Sequence, residues 1–159
     1  MASTADHTRV ATLLGERKPA EAEAVCRQIL SQARHDAAAL HLLGLARKDQ
    51  GDVVDGERLL RESIALAPGN AEFRTNLANL LRRLRRFAEA EREYRDALSI
   101  SPGNRSARLS LARTLIDLGQ HAAAEPQCRE LIAQRETDAE AWNTLAMSLR
   151  GQLKLAEAE

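Results

Sequence analysis

The chain has few residues that would cross-link or anchor it, and its many charges cancel. Two cysteines and four histidines are scattered over 159 residues, with four prolines, eight glycines and only 3% aromatic side chains. Basic and acidic residues number 23 each, so no net field points to nucleic acid or a membrane surface as partner. No stretch approaches the roughly 20 apolar residues of a spanning helix, and the start, MASTADHTRV, lacks the apolar run of a secretory signal. The expectation is a soluble, cytoplasmic chain with no membrane and no nucleic-acid partner.

Catalytic signatures are missing too. His7, His35, His41 and His121 have no cysteine or carboxylate at ligand spacing, and HExxH is absent, so no metal site is expected. The glycines form no phosphate loop, and neither a GxSxG elbow nor a nucleophile beside a base occurs. No catalytic residue and no cofactor is expected in this segment.

What is present is a repeat. Shifting the chain by 34 residues aligns HDAAALHLLGLARKDQGD, GNAEFRTNLANLLRRLRR, GNRSARLSLARTLIDLGQ and TDAEAWNTLAMSLRGQLK without a gap. Leu43, Leu77, Leu111 and Leu145 share one column, Gly44, Ala78, Ala112 and Ala146 the next, and Leu81, Leu115 and Leu149 follow. With 44% hydrophobic residues and so few aromatics, the core must be leucine and alanine, which suits close helix packing.

This period, with small residues at set points and a proline near the end of a unit (Pro68, Pro102), resembles the tetratricopeptide repeat (TPR) family over nearly the whole chain. The resemblance implies an all-α, right-handed α-solenoid of stacked antiparallel helix pairs. Its inner groove, lined mainly by first helices, holds peptides. Cys26 and Cys128 fall in equivalent columns three repeats apart, too far along such a solenoid for a disulfide.

In this register the single array of residues 1–159 holds units of about 3–36, 37–70, 71–104 and 105–138, and a truncated fifth, 139–159. The first is irregular, with Asp6, Arg9 and Val10 at core columns. Asp36, Asn70, Asn104 and Asp138 all precede a first helix, where a side-chain oxygen caps exposed N–H groups for about 1 kcal/mol each. Gln50-Gly51-Asp52 and Leu118-Gly119-Gln120 supply turns, with glycine in a left-handed conformation. Arg85 and Arg86 replace that pattern in the third unit, so its first helix is expected to run long, with Leu84 in its core stripe. Gly56 breaks a column of alanines (Ala22, Ala90, Ala124, Ala158), costs roughly 1 kcal/mol, and predicts a soft helix. Leu59, Leu60, Ser63, Ile64 and Leu66 form the apolar stripe of that helix, and Pro126 predicts a mild bend in another. The fifth unit stops at Leu155-Ala-Glu-Ala-Glu159, a few residues into its second helix, leaving Trp142 and Leu149 partly uncovered.

Three first-helix columns face the implied groove. They read Thr8, Leu42, Asn76, Ser110, Thr144; then Ala11, Leu45, Asn79, Arg113, Met147; then Leu14, Lys48, Arg82, Ile116, Arg150. The column of His41 and Asn143 is placed beside them, and Arg83 belongs to the basic run Arg82 to Arg86. Amides pair with a peptide backbone and arginine forks with carboxylates, so the candidate site is Asn76, Asn79, Arg82, Arg83, Ser110, Arg113, Asn143, Thr144 and Arg150. The expected ligand is a protein or peptide with acidic side chains. Thr75, Ser110, Glu140 and Thr144 do not fit the family's chaperone-carboxylate clamp, in which only Asn79 matches.

The expected role is a non-enzymatic protein-interaction scaffold. One alternative makes the chain the N-terminal recognition arm of a larger enzyme, a glycosyltransferase, sulfotransferase or hydroxylase, whose catalytic domain lies beyond residue 159. Another is self-association through the uncapped C-terminal stripe at Trp142.

Overall fold

The computed structural model describes residues 4–156, which form helices joined by tight turns. Among them are α1 (Thr4–Gly15), α2 (Pro19–Gln32), α3 (Ala37–Asp49), α4 (Val53–Leu66), α5 (Ala71–Arg83), α6 (Phe87–Ile100), α7 (Arg105–Asp117), α8 (His121–Gln134) and α9 (Ala139–Ala156). Second helices begin at Pro19, Val53, Phe87 and His121, one period of 34 apart. The chain divides into two compact units, Met1–Phe73 and Arg74–Glu159. Ala158, assigned to the small column of second helices, lies outside the described residues.

Local chemistry sets the helix ends. Asp36, Asn104 and Asp138 accept from the N–H groups of Ala39, Ala107 and Ala141 at 2.9, 3.0 and 3.1 Å, and Asn70 from Phe73 at 3.2 Å. Each bond satisfies a donor that the first helical turn leaves without a partner. At the other end the same turn recurs four times. The N–H groups of Lys18, Asp52, Arg86 and Gln120 donate to the carbonyls of Leu13, Arg47, Leu81 and Leu115, five residues back. Such a closure requires a left-handed residue, which is Gly51 at φ 92° and Gly119 at 74°. Arg17 and Arg85 hold the equivalent places at φ 60°. The third unit therefore does not extend its first helix. α5 stops at Arg83, Arg85 adopts the strained conformation, and Leu84 lies beyond the helix at 39% exposure.

In the first unit Val10, Ala22, Cys26, Ile29, Ala39, Leu40, Leu43, Ala46 and Leu59 form a continuous core. In the second, Leu109, Leu131 and Ala141 pack together, as do Ala112, Cys128 and Leu145. Each fully buried leucine contributes about 1.5–3 kcal/mol. The leucine column is buried throughout (Leu43, Leu77, Leu111, Leu145). Leu66, expected in the α4 stripe, is instead exposed. Burial pushes the free thiol of Cys26 up to about 12 and that of Cys128 up to about 11, so both stay protonated and inert.

Gly56 has a different meaning from the one expected. A Cβ placed on it would lie 2.9 Å from the carbonyl oxygen of Gly44, and one on Gly44 would lie 3.0 Å from that of Gly56. Paired glycines let α3 and α4 approach more closely than a methyl group permits, so Gly56 marks tight packing.

α8 carries Pro126 at its sixth position and continues to Gln134. α9 runs through Gln152, Leu153 and Lys154 without turning, where equivalent positions in earlier units turn, so the expected second helix does not begin there. It is held along α8 by the Ser148 hydroxyl on the His121 carbonyl at 2.6 Å and the Gln152 amide on Glu125 at 2.8 Å.

A candidate peptide-binding face

The nine candidate residues all lie in the second unit, on α5, α7 and α9. Their period places Asn76, Asn79 and Arg82 on one stripe of α5, and Ser110 and Arg113 on the matching stripe of α7. All five are half-buried.

One residue outside the groove columns organises this face. Tyr94 of α6 is fully buried, yet its hydroxyl donates to Asn79 Oδ1 at 2.6 Å. Burial raises the phenol's pKa, against the opposing pull of a Ser110 hydrogen bond and the Arg82 charge. Asn79 is thus held with its oxygen engaged, which leaves the amide nitrogen as the group it can offer. The signal was present in the sequence: Tyr94 shares its column with Cys26, Leu60 and Cys128, and it alone there carries a hydroxyl.

The arginines are less available than expected. Arg82 donates through Nε and a terminal nitrogen to Asp117 at 3.1 and 2.8 Å. Arg113 reaches Glu140 at 3.3 Å, and Arg105 reaches the same carboxylate at 3.0 Å. Arg105 also forks onto Asp138, both bonds at 2.7 Å, while Asp138 caps α9. That guanidinium, with the Ala141 N–H, holds Asp138 down to about 2, and Arg105 and Arg113 lower Glu140 as well. Asp117 and Glu140 had not been included, and they offset Arg82 and Arg113. Of the rest of the basic run, Arg86 is paired with Glu89, Arg85 lies 5.4 Å over the Phe87 ring, and Arg83 is exposed.

Thr144 is 2% exposed and its hydroxyl donates to the Glu140 carbonyl, so it has nothing to present to a ligand. Asn143 and Arg150 are exposed. The column of Asn143 is buried in the two preceding repeats, where Thr75 and Leu109 are 6% and 4% exposed. His41, also in that column and expected to face the groove, is 3% exposed and stacks on Phe73 at 4.2 Å. Burial, with Lys48 nearby, lowers its pKa to about 4.

Among the described residues no cluster of His, Cys, Asp or Glu is arranged to hold a metal ion, and no helix is long and apolar enough to cross a membrane. A cavity of about 90 Å³ between α1 and α2, lined by Asp6, Arg9 and Ile29 among others, is too small for a peptide.

Two family models described as tetratricopeptide repeat match residues 41–105 and 81–147. No curated protein sequence matches the chain. Among solved structures the chain is similar to MamA of AMB-1 (21% identity, TM-score 0.82, 96% of this chain and 90% of that one). It is also similar to YrrB, described as a TPR protein with an unusual peptide-binding site (14%, 0.79, 95% and 78%). A third is the first TPR of Spaghetti (RPAP3) bound to the HSP90 peptide SRMEEVD (20%, 0.69, 74% and 93%). At these identities the likeness shows a shared fold, the all-α TPR solenoid.

Proposed function

We propose that the chain, which belongs to the tetratricopeptide repeat family, is a non-enzymatic scaffold that holds an extended segment of a protein partner across α5 and α7. The observation that carries this is the bond from buried Tyr94 to Asn79. A polar side chain on an exposed stripe is ordinarily mobile, and ordering it opposes binding. Here the ordering is already done by the core, and the Asn79 amide nitrogen is set to donate to a peptide carbonyl.

Arg113 and Arg82 supply the second element. An acidic side chain of the partner exchanges with Glu140 or Asp117, trading one charge-assisted bond for another, so it tunes selectivity more than affinity. YrrB and RPAP3, described with a peptide-binding site and a bound peptide, are consistent with this use of the fold.

Affinity capture with the intact protein, quantified by mass spectrometry, tests the proposal against a variant combining Asn79→Ala and Arg113→Ala. The authentic partner is expected to be retained at least tenfold less by the variant. Equal retention by a folded variant, checked by circular dichroism, would remove the groove from the account.

A further inference from the structure

The fold uses only part of the basic run from Arg82 to Arg86. Arg82 is held by Asp117 and Arg86 by Glu89. Arg83 and Arg85 are exposed, and among the described residues neither guanidinium has a carboxylate partner. Both stand on the turn between α5 and α6. At the same places the turn from α3 to α4 carries Asp49 and Gly51, and that from α7 to α8 carries Asp117 and Gly119, so only this turn sets a cation at both. The dipole of α5 favours a cation at its C-terminal end, which accounts in part for Arg83. It does not account for Arg85. The backbone there is left-handed at φ 60°, a conformation that Gly51 and Gly119 adopt freely and a side chain adopts only with strain. Backbone strain of this kind clusters at functional sites.

We infer that the turn between α5 and α6 is a binding site for an acidic segment of a partner protein, with Arg83 and Arg85 each taking a carboxylate. The arrangement suits that ligand. Arg85 lies 5.4 Å over the Phe87 ring. Contact through the face of a guanidinium leaves its N–H donors, which lie in its own plane, free to fork onto a carboxylate, and it restricts the side chain before the ligand arrives. Neither arginine gives up an internal partner, whereas Arg82 and Arg113 exchange one carboxylate for another. A carboxylate therefore gains bonds at the turn and only trades them in the groove. Arg83 belongs to this site and not to the stripe of Asn79 and Arg82. Phe87, the aromatic ring of the turn, is covered by Arg85 and offers no platform for a base, and the chain's charges cancel, so carboxylates fit here better than a nucleic acid.

The probe is fluorescein-labelled hexaglutamate, followed by fluorescence anisotropy against the full chain at low ionic strength. Saturable binding is expected, weakened roughly tenfold by Arg83→Gln combined with Arg85→Gln. Arg85→Gly alone, which relieves the strained turn and is expected to fold at least as stably as the parent, should weaken it several-fold. Arg92→Gln removes another exposed charge without a carboxylate partner, from α6, and should leave the affinity unchanged. Asn79→Ala should leave it unchanged too, so the result stands apart from the groove. Absence of saturable binding, equal affinity of the double variant, or equal weakening by Arg92→Gln would overturn the inference. Weakening by Asn79→Ala in place of the turn variants would put the acid in the groove, and tighter binding of labelled hexathymidylate at the same two arginines would assign the turn to nucleic acid; either overturns it equally.

Discussion

Gly44 and Gly56 face each other across α3 and α4, each backbone carbonyl within about 3 Å of where the other residue would carry a methyl group. The equivalent pairs are Ala78 with Ala90 and Ala112 with Ala124, so close approach by glycine belongs to one repeat alone.

Gly56→Ala is therefore expected to destabilise the protein, although alanine is worth roughly 1 kcal/mol more in an isolated helix. The methyl group meets backbone, which cannot swing away, and overpacking of this kind costs about 1–3 kcal/mol. Denaturant unfolding should show a lower midpoint. A raised midpoint would mean that the two helices separate freely and that the glycine pair carries no constraint.

The four left-handed turn positions make a matched set. Arg85→Gly relieves a conformation that costs about 1–2 kcal/mol for a side chain, while losing the contact with Phe87 and adding chain entropy to the unfolded state. A net gain of roughly 0.5 kcal/mol is expected. Gly119→Ala should move stability the other way by about 1 kcal/mol. Thermal unfolding of both variants checks the pair of signs, and a loss at Arg85→Gly would show that the cation over the ring outweighs the strain.

His41 confers a dependence on pH. Its folded pKa, about 4, lies below the ordinary 6.5, so the unfolded chain binds the proton more readily between those values. The associated stability is complete above about pH 6.5, falls as pH drops toward 4, and amounts to about 3 kcal/mol at most. His41→Phe keeps a ring to stack on Phe73 and removes the titration. Its unfolding free energy should be flatter than that of the parent between pH 4 and 6.5.

Asn79 and Tyr94 should act as one unit in binding. Tyr94→Phe releases Asn79 and is expected to weaken the captured partner several-fold, at a stability cost of about 1 kcal/mol. Once Asn79→Ala is present, Tyr94→Phe should weaken binding no further. Additive losses in this double-mutant cycle would separate the tyrosine from recognition and leave it a core residue.

Much of the fold was legible because its punctuation is local. An Asx cap bonds three residues ahead, and each turn closes five residues back, so Asp36, Asn70, Asn104 and Asp138 marked the helix starts without knowledge of any neighbour. The leucine column, repeated every 34 residues, was equally plain. Arg85 misled because a single side chain in a left-handed turn is tolerated when tertiary packing holds both flanking helices, an effect that local propensity does not contain.

In the candidate site the helical stripes were legible and the charge pairing was not. Periodicity placed Asn79, Arg82 and Arg113 on one face, since that needs only the helical repeat. The carboxylates that neutralise the arginines lie 35 residues away for Arg82 and Asp117, and 27 for Arg113 and Glu140. No local rule pairs residues at such separations. The sequence alone determined the repeat, its caps and its turns, because those depend on backbone bonding within about five residues. Only the tertiary structure decided that Tyr94 would steady Asn79, that Thr144 and His41 would be buried, and that α3 and α4 would meet at bare backbone. Those outcomes depend on how far one helix stands from the next, and that distance is set by packing.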